Sequence, residues 1–139
     1  MNNYKEFKDR QQKEFNEFPM FFAFDDKQFE EGLNKLNCTK DDLLSIGGGG
    51  FITKANRESF GDLHIKHYEE FKKAKEDEQF LYEMFLYELA NHEYCITRDP
   101  TDTLECVGIA EEELENNTKI KTAFKKARDE YLNNINKEE

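Results

Sequence analysis

The spacing of apolar residues constrains this chain more than any other feature. Tyr4, Phe7, Gln11, Phe15 and Phe18 recur every three or four positions, which puts the aromatics on one face of a helix over residues 3–18. Pro19 ends that helix, because the residue before a proline is pushed out of the α region. The same spacing returns near the C-terminus in Ile120, Phe124, Ala127, Tyr131 and Ile135. Asn117 is placed to cap that last helix. Residues 62–91 are also helical in pattern and read as two pieces. Ile65, Tyr68 and Phe71 form a first stripe; Phe80, Leu81, Met84, Phe85 and Leu89 form a second; residues 72–78 between them are charged.

The other apolar runs are too short for helices. Met20-Phe21-Phe22-Ala23-Phe24, bounded by Pro19 and Asp25, reads as a buried strand. Asp25 with Gln28 three residues on makes a capping box for a helix reaching Leu36, which buries Phe29, Leu33 and Leu36 and is weakened slightly by Gly32. Leu43 to Ile46 and Phe51 to Lys54 flank four glycines and read as a hairpin. Residues 55–62 read as loop. Residues 94–97 and 103–107 flank Asp99-Pro100-Thr101-Asp102 and read as a second hairpin. A short helix over residues 109–114 precedes the last one. The expected fold is α+β: a small antiparallel or mixed sheet of about five strands, made of a lone strand and two hairpins, packed against helices. With 139 residues the chain reads as a single domain, residues 1–139, with a frayed tail at 136–139.

Net charge is −11, and it is localised. Residues 76–115 hold thirteen acids and one base, Arg98, while the other 99 residues hold 18 acids and 19 bases. Such a field repels DNA and anionic membranes, so neither is an expected partner; a basic protein is. No stretch is apolar enough to span a bilayer, and the polar first ten residues lack a signal-peptide core. Cys38, Cys95 and Cys106 are an odd number at no metal-like spacing. A cytoplasmic protein with reduced thiols is expected.

No catalytic motif is present, and no cofactor or metal is expected. Gly47 to Gly50 lead into Phe51-Ile52, a strand pattern, rather than into the helix and Lys-Ser/Thr pair of a phosphate loop. The acidic neighbours of Cys95 and Cys106 raise a thiol pKa and argue against a nucleophile. His64 and His67 share a helix face, and with His92 and a carboxylate they offer an alternative reading as a zinc or iron site. HExxH is absent, since position 96 is Ile96. The Phe-rich N-terminal part (Phe15, Phe18, Phe21, Phe22, Phe24, Phe29) fits core packing and, as a third reading, an oligomerising structural protein.

The segment Phe18-Pro19-Met20-Phe21-Phe22-Ala23-Phe24, with Lys27-Gln28-Phe29-Glu30-Glu31-Gly32, the glycine run and residues 88–93, resembles small acidic proteins of phages and plasmids of low-GC bacteria. The resemblance brings no active site. It implies a counter-defence protein, such as an anti-CRISPR or anti-restriction inhibitor. The leading expectation is therefore a non-enzymatic binding protein. Its acids would stand in for phosphates in the basic nucleic-acid groove of a host enzyme. The residues expected to do so are Glu76, Asp77, Glu78, Glu83 and Glu88 on the helix, then Glu111, Glu112, Glu113 and Glu115.

Overall fold

The computed structural model describes residues 2–138, with side chains described through residue 136. Eight α-helices and three strands are found among them, in the order α1 (Asn3–Glu17), β1 (Phe21–Phe22), α2 (Asp26–Leu36), β2 (Leu43–Gly47), β3 (Gly50–Thr53), α3 (Arg57–Ala74), α4 (Glu78–Asn91), α5 (Tyr94–Thr97), α6 (Thr101–Val107), α7 (Glu111–Asn116) and α8 (Thr118–Glu138), with 3-10 turns at Lys40–Asp42 and Lys54–Asn56. The class is α+β, and helix dominates. None of these helices is long and apolar enough to cross a membrane. The chain contacts divide it into two compact units, residues 10–69 and residues 1–9 with 70–139; the divisions fall inside α1 and α3.

The first unit holds the sheet, antiparallel throughout, in the order β1-β3-β2. Phe21 faces Phe51 across β1 and β3, and Leu44 faces Ile52 across β2 and β3. Alternation sends Phe21 inward and Phe22 outward, since successive strand side chains point to opposite faces. The Phe21, Phe29 and Phe51 rings pack together, with centroids 5.3–6.0 Å apart. The β2–β3 turn is Gly48-Gly49, both at positive φ (58° and 81°), the two-residue arrangement that suits the twist of antiparallel strands. Asp25 caps α2 by accepting from the Gln28 backbone N–H at 2.7 Å, and Gln28 Oε1 accepts from the Phe24 N–H. Asn37 ends that helix in the left-handed conformation.

The second unit is helical. α4 packs along α8, and Leu81, Met84, Phe85 and Leu89 of α4 have no exposed surface. They meet Ile120, Phe124, Ala127 and Tyr131 of α8, with Phe85 and Phe124 edge to face at 5.2 Å. Each such large apolar side chain contributes about 1.5–3 kcal/mol on full burial. Tyr4 of α1 lies among Phe71, Phe80 and Tyr87. Asp77 starts α4 by accepting from the Gln79 and Phe80 N–H groups, and Asn117 Oδ1 does the same for Ile120 in α8. α8 continues through residues 136–138, the expected tail; residue 139 lies outside the described residues.

Three expectations are corrected. The sheet has three strands, not five, because residues 94–107 form no hairpin: they are α5 and α6. Glu93 and Arg98 adopt left-handed backbone (φ 53° and 56°), which folds residues 94–97 into one helical turn. Asp99 Oδ1 then accepts from the Thr101 N–H at 2.9 Å, which starts α6. Thr103, Leu104 and Val107 are buried at helical spacing, and Gly108 ends the helix at positive φ. Second, α3 begins at Arg57, so most of the expected loop at 55–62 is helix. Third, Ile65 and Tyr68 are exposed (63% and 66%), so the stripe assigned to them is not the packing face. In residues 57–69 that face carries Phe60 and His64, which pack on the α1 residues Phe15 and Phe18.

Candidate functional site

Seven of the nine acids expected at a binding surface are exposed: Glu76, Asp77, Glu78, Glu111, Glu112, Glu113 and Glu115. They lie on two segments of the second unit, the α3–α4 junction and α7. Two lysines tie these segments together. Lys75 Nζ donates to the Val107 carbonyl at 2.9 Å, just before α7, and Lys119 Nζ donates to the Glu76 carbonyl at 2.6 Å, just after it. Burial lowers the Lys75 pKa, and the nearby Glu113 charge opposes that shift. The junction acids therefore sit beside the stretch that carries α7. Asp77 also spends one carboxylate oxygen on the α4 cap.

The other two expected residues are elsewhere. Glu83 is half-buried and works within the fold: Oε2 accepts from the Asn3 N–H at 2.5 Å at the start of α1, and Oε1 accepts from Gln79. Glu88 has no exposed surface. This corrects its assignment to the surface. Leu81, Met84, Phe85, Glu88, Leu89 and His92 follow one another at helical spacing, so Glu88 lies on the buried stripe of α4. That register was the signal in the sequence; formal charge concealed it.

A buried carboxylate survives only with partners, and Glu88 has several. Oε1 lies 3.4 Å from Lys8 Nζ. Oε2 accepts from Cys106 Sγ at 2.7 Å and lies 3.3 Å from His92 Nε2. Burial, and then the nearby Glu88 charge, raise the Tyr4 phenol pKa far above its usual range. The Glu88 carboxyl itself is pushed up by burial. Bonds from Cys106, Lys8 and His92 outweigh that and hold it below its ordinary value. Cys106 is pushed up to about 11, first by burial and then by its bond to Glu88. It is thus no activated nucleophile. The Thr103 hydroxyl donates to the Glu88 carbonyl at 3.3 Å, fixing α6 on α4.

The three histidines do not share partners. His67 Nε2 lies 3.2 Å from Glu14 Oε2, which also accepts from Lys66 at 3.0 Å. His64 packs on Phe60 and Phe15, and His92 pairs with Glu88. No group holding all three is found among the described residues. Cys95 and Cys106 are unpaired thiols on helices, not strands. Cys106 joins Glu88 across 18 positions, a contact that no spacing rule in the sequence anticipates.

Phe22 and Phe24 are the exposed members of the N-terminal aromatic group; Phe21 is buried and Phe15, Phe18 and Phe29 are half-buried. The glycine run is a strand–turn–strand tip, as its flanks predict.

Comparison with curated proteins gave no match, and comparison with solved structures gave none. A family described as a family of unknown function, DUF7659, matches residues 3–130. That span covers α1 to most of α8, and the chain belongs to this family.

Proposed function

We propose that the protein is a non-enzymatic binding protein that presents Glu76, Asp77, Glu78, Glu111, Glu112, Glu113 and Glu115 to a basic protein partner. The partner in this reading is a nucleic-acid-binding enzyme of a host cell, and the protein acts as its inhibitor. Carboxylates take the places of phosphates along rows of Lys and Arg. Charge complementarity speeds encounter and fixes orientation, while neighbouring apolar contacts supply much of the affinity. The observation that carries this reading is the pair of lysine ties that bring the α3–α4 junction beside α7. Two acidic segments separated in sequence thereby act from one neighbourhood. Glu83 and Glu88 play no part in it, since both are engaged inside the fold.

The test is affinity capture from a bacterial lysate at low salt, with elution on a salt gradient and repetition with Glu111, Glu112 and Glu113 replaced by Lys. A nucleic-acid-binding enzyme is expected among the captured proteins. Its affinity should fall at least about tenfold from low to high salt and again in the triple variant. A partner whose affinity changes in neither case would sink the proposal.

A further inference from the structure

The geometry points to Glu88, His92 and Cys106 as a binding site for one divalent transition-metal ion, with Zn2+ the best match. Carboxylate oxygen, imidazole nitrogen and thiolate sulfur together suit Zn2+ and disfavour Mg2+ and Ca2+, which take oxygen donors. Glu88 and His92 are four residues apart at the end of α4 and share a face; Cys106 arrives from α6. Their ligand atoms all lie within 4.8 Å of one another, and His92 Nε2 is 3.3 Å from Glu88 Oε2. Donors held tetrahedrally about 2.0–2.3 Å from Zn2+ are about 3.3–3.8 Å apart, so side-chain adjustments of about an ångström admit the ion.

Three further observations support a site rather than a chance meeting. The Glu88 carboxylate has no exposed surface, so its position is fixed by the surrounding fold. Lys8 bonds to Glu88 from outside the ligand set, as the outer partner of a ligating group does. His92 and Cys106 both reach solvent, which gives an ion an entry path and leaves the fourth position to water. On binding, the Cys106 thiol loses its proton to solvent and the sulfur–metal bond takes its place. His92 binds as the neutral imidazole, and no redox step is involved. The alternative is that the cluster only satisfies a buried charge.

The experiment uses the full chain, stripped with a chelator and titrated with Zn2+ alone and with Co2+ alone. One ion per chain is expected, with a Kd of about 10 μM or tighter. The Co2+ form should show a near-ultraviolet thiolate-to-cobalt charge-transfer band. Cys106→Ser should abolish the band, and His92→Ala should weaken binding at least about tenfold. Cys38→Ser should change neither. His92 is partly exposed, so its replacement tests the site even if Cys106→Ser unfolds the chain, which circular dichroism reports. Absence of saturable binding by the wild-type chain overturns the proposal. So does a thiolate band that survives Cys106→Ser, or an affinity unaltered by His92→Ala.

Discussion

At Glu14, one carboxylate gathers donors from two helices. Lys66 and His67 approach from α3, and Arg10 lies 2.6 Å from Oε1 one turn back on α1. The bond from Lys66, then that from His67, lowers its pKa from 4.5 to about 2; partial burial works the other way. The folded-state value lies below the unfolded one, so folding binds fewer protons at this group. Its contribution to stability is complete above about pH 4.5 and disappears as pH falls toward 2. Glu14→Gln should therefore flatten the fall of the thermal midpoint across that window and leave the shape of the profile near pH 7 unchanged. Profiles of equal steepness in variant and parent would show that these donors do not hold the carboxylate in solution. Glu88 shows the opposite relation between charge and place. As one acid among thirteen in a window it looks like surface, and only its register with Leu81, Met84, Phe85 and Leu89 places it inside.

Elements announce themselves where the signal is long or chemically specific. α1, α4 and α8 run for three or more turns, so the apolar spacing repeats enough to fix the period. Asp25 and Asn117 mark helix starts through side-chain bonds to the first free N–H groups. α5 and α6 have four and seven residues, too few for either period to show, and the turn chemistry of Asp99-Pro100-Thr101-Asp102 favoured a hairpin where the chain forms two helices. Gly32 illustrates how packing reverses a propensity argument. In an open helix, Gly→Ala gains roughly 0.5–1 kcal/mol. Here a Cβ would run into the Phe21 ring, which lies flat against the glycine between α2 and β1. Gly32→Ala should lower stability by roughly 1–3 kcal/mol, measured by urea denaturation. A gain instead would mean that Phe21 can withdraw at little cost.

Across the whole molecule, the distribution of charge is the dominant electrostatic fact. Net charge is −11, and the excess sits in residues 76–115, mostly on exposed carboxylates. Like charges held together in the folded state oppose it, and salt screens them. The thermal midpoint should rise as sodium chloride goes from about 0.01 to about 1 M, where the screening length shrinks from about 30 to about 3 Å. Replacing Glu111 and Glu112 with Lys should reduce that rise. A midpoint that falls with salt would mean that ion pairs such as Lys5–Asp9 and Lys66–Glu14 outweigh the repulsion. By itself, the sequence determined α1, α4 and α8, the glycine hairpin and the acidic stretch, but not where α3 begins. Each of these depends on neighbours a few positions apart. Only the tertiary structure decided which acids face water, that residues 94–107 are helical, and that Glu88, His92 and Cys106 meet. Those outcomes depend on α6 lying against α4, a contact between residues 15 to 18 positions apart that burial, not local propensity, selects.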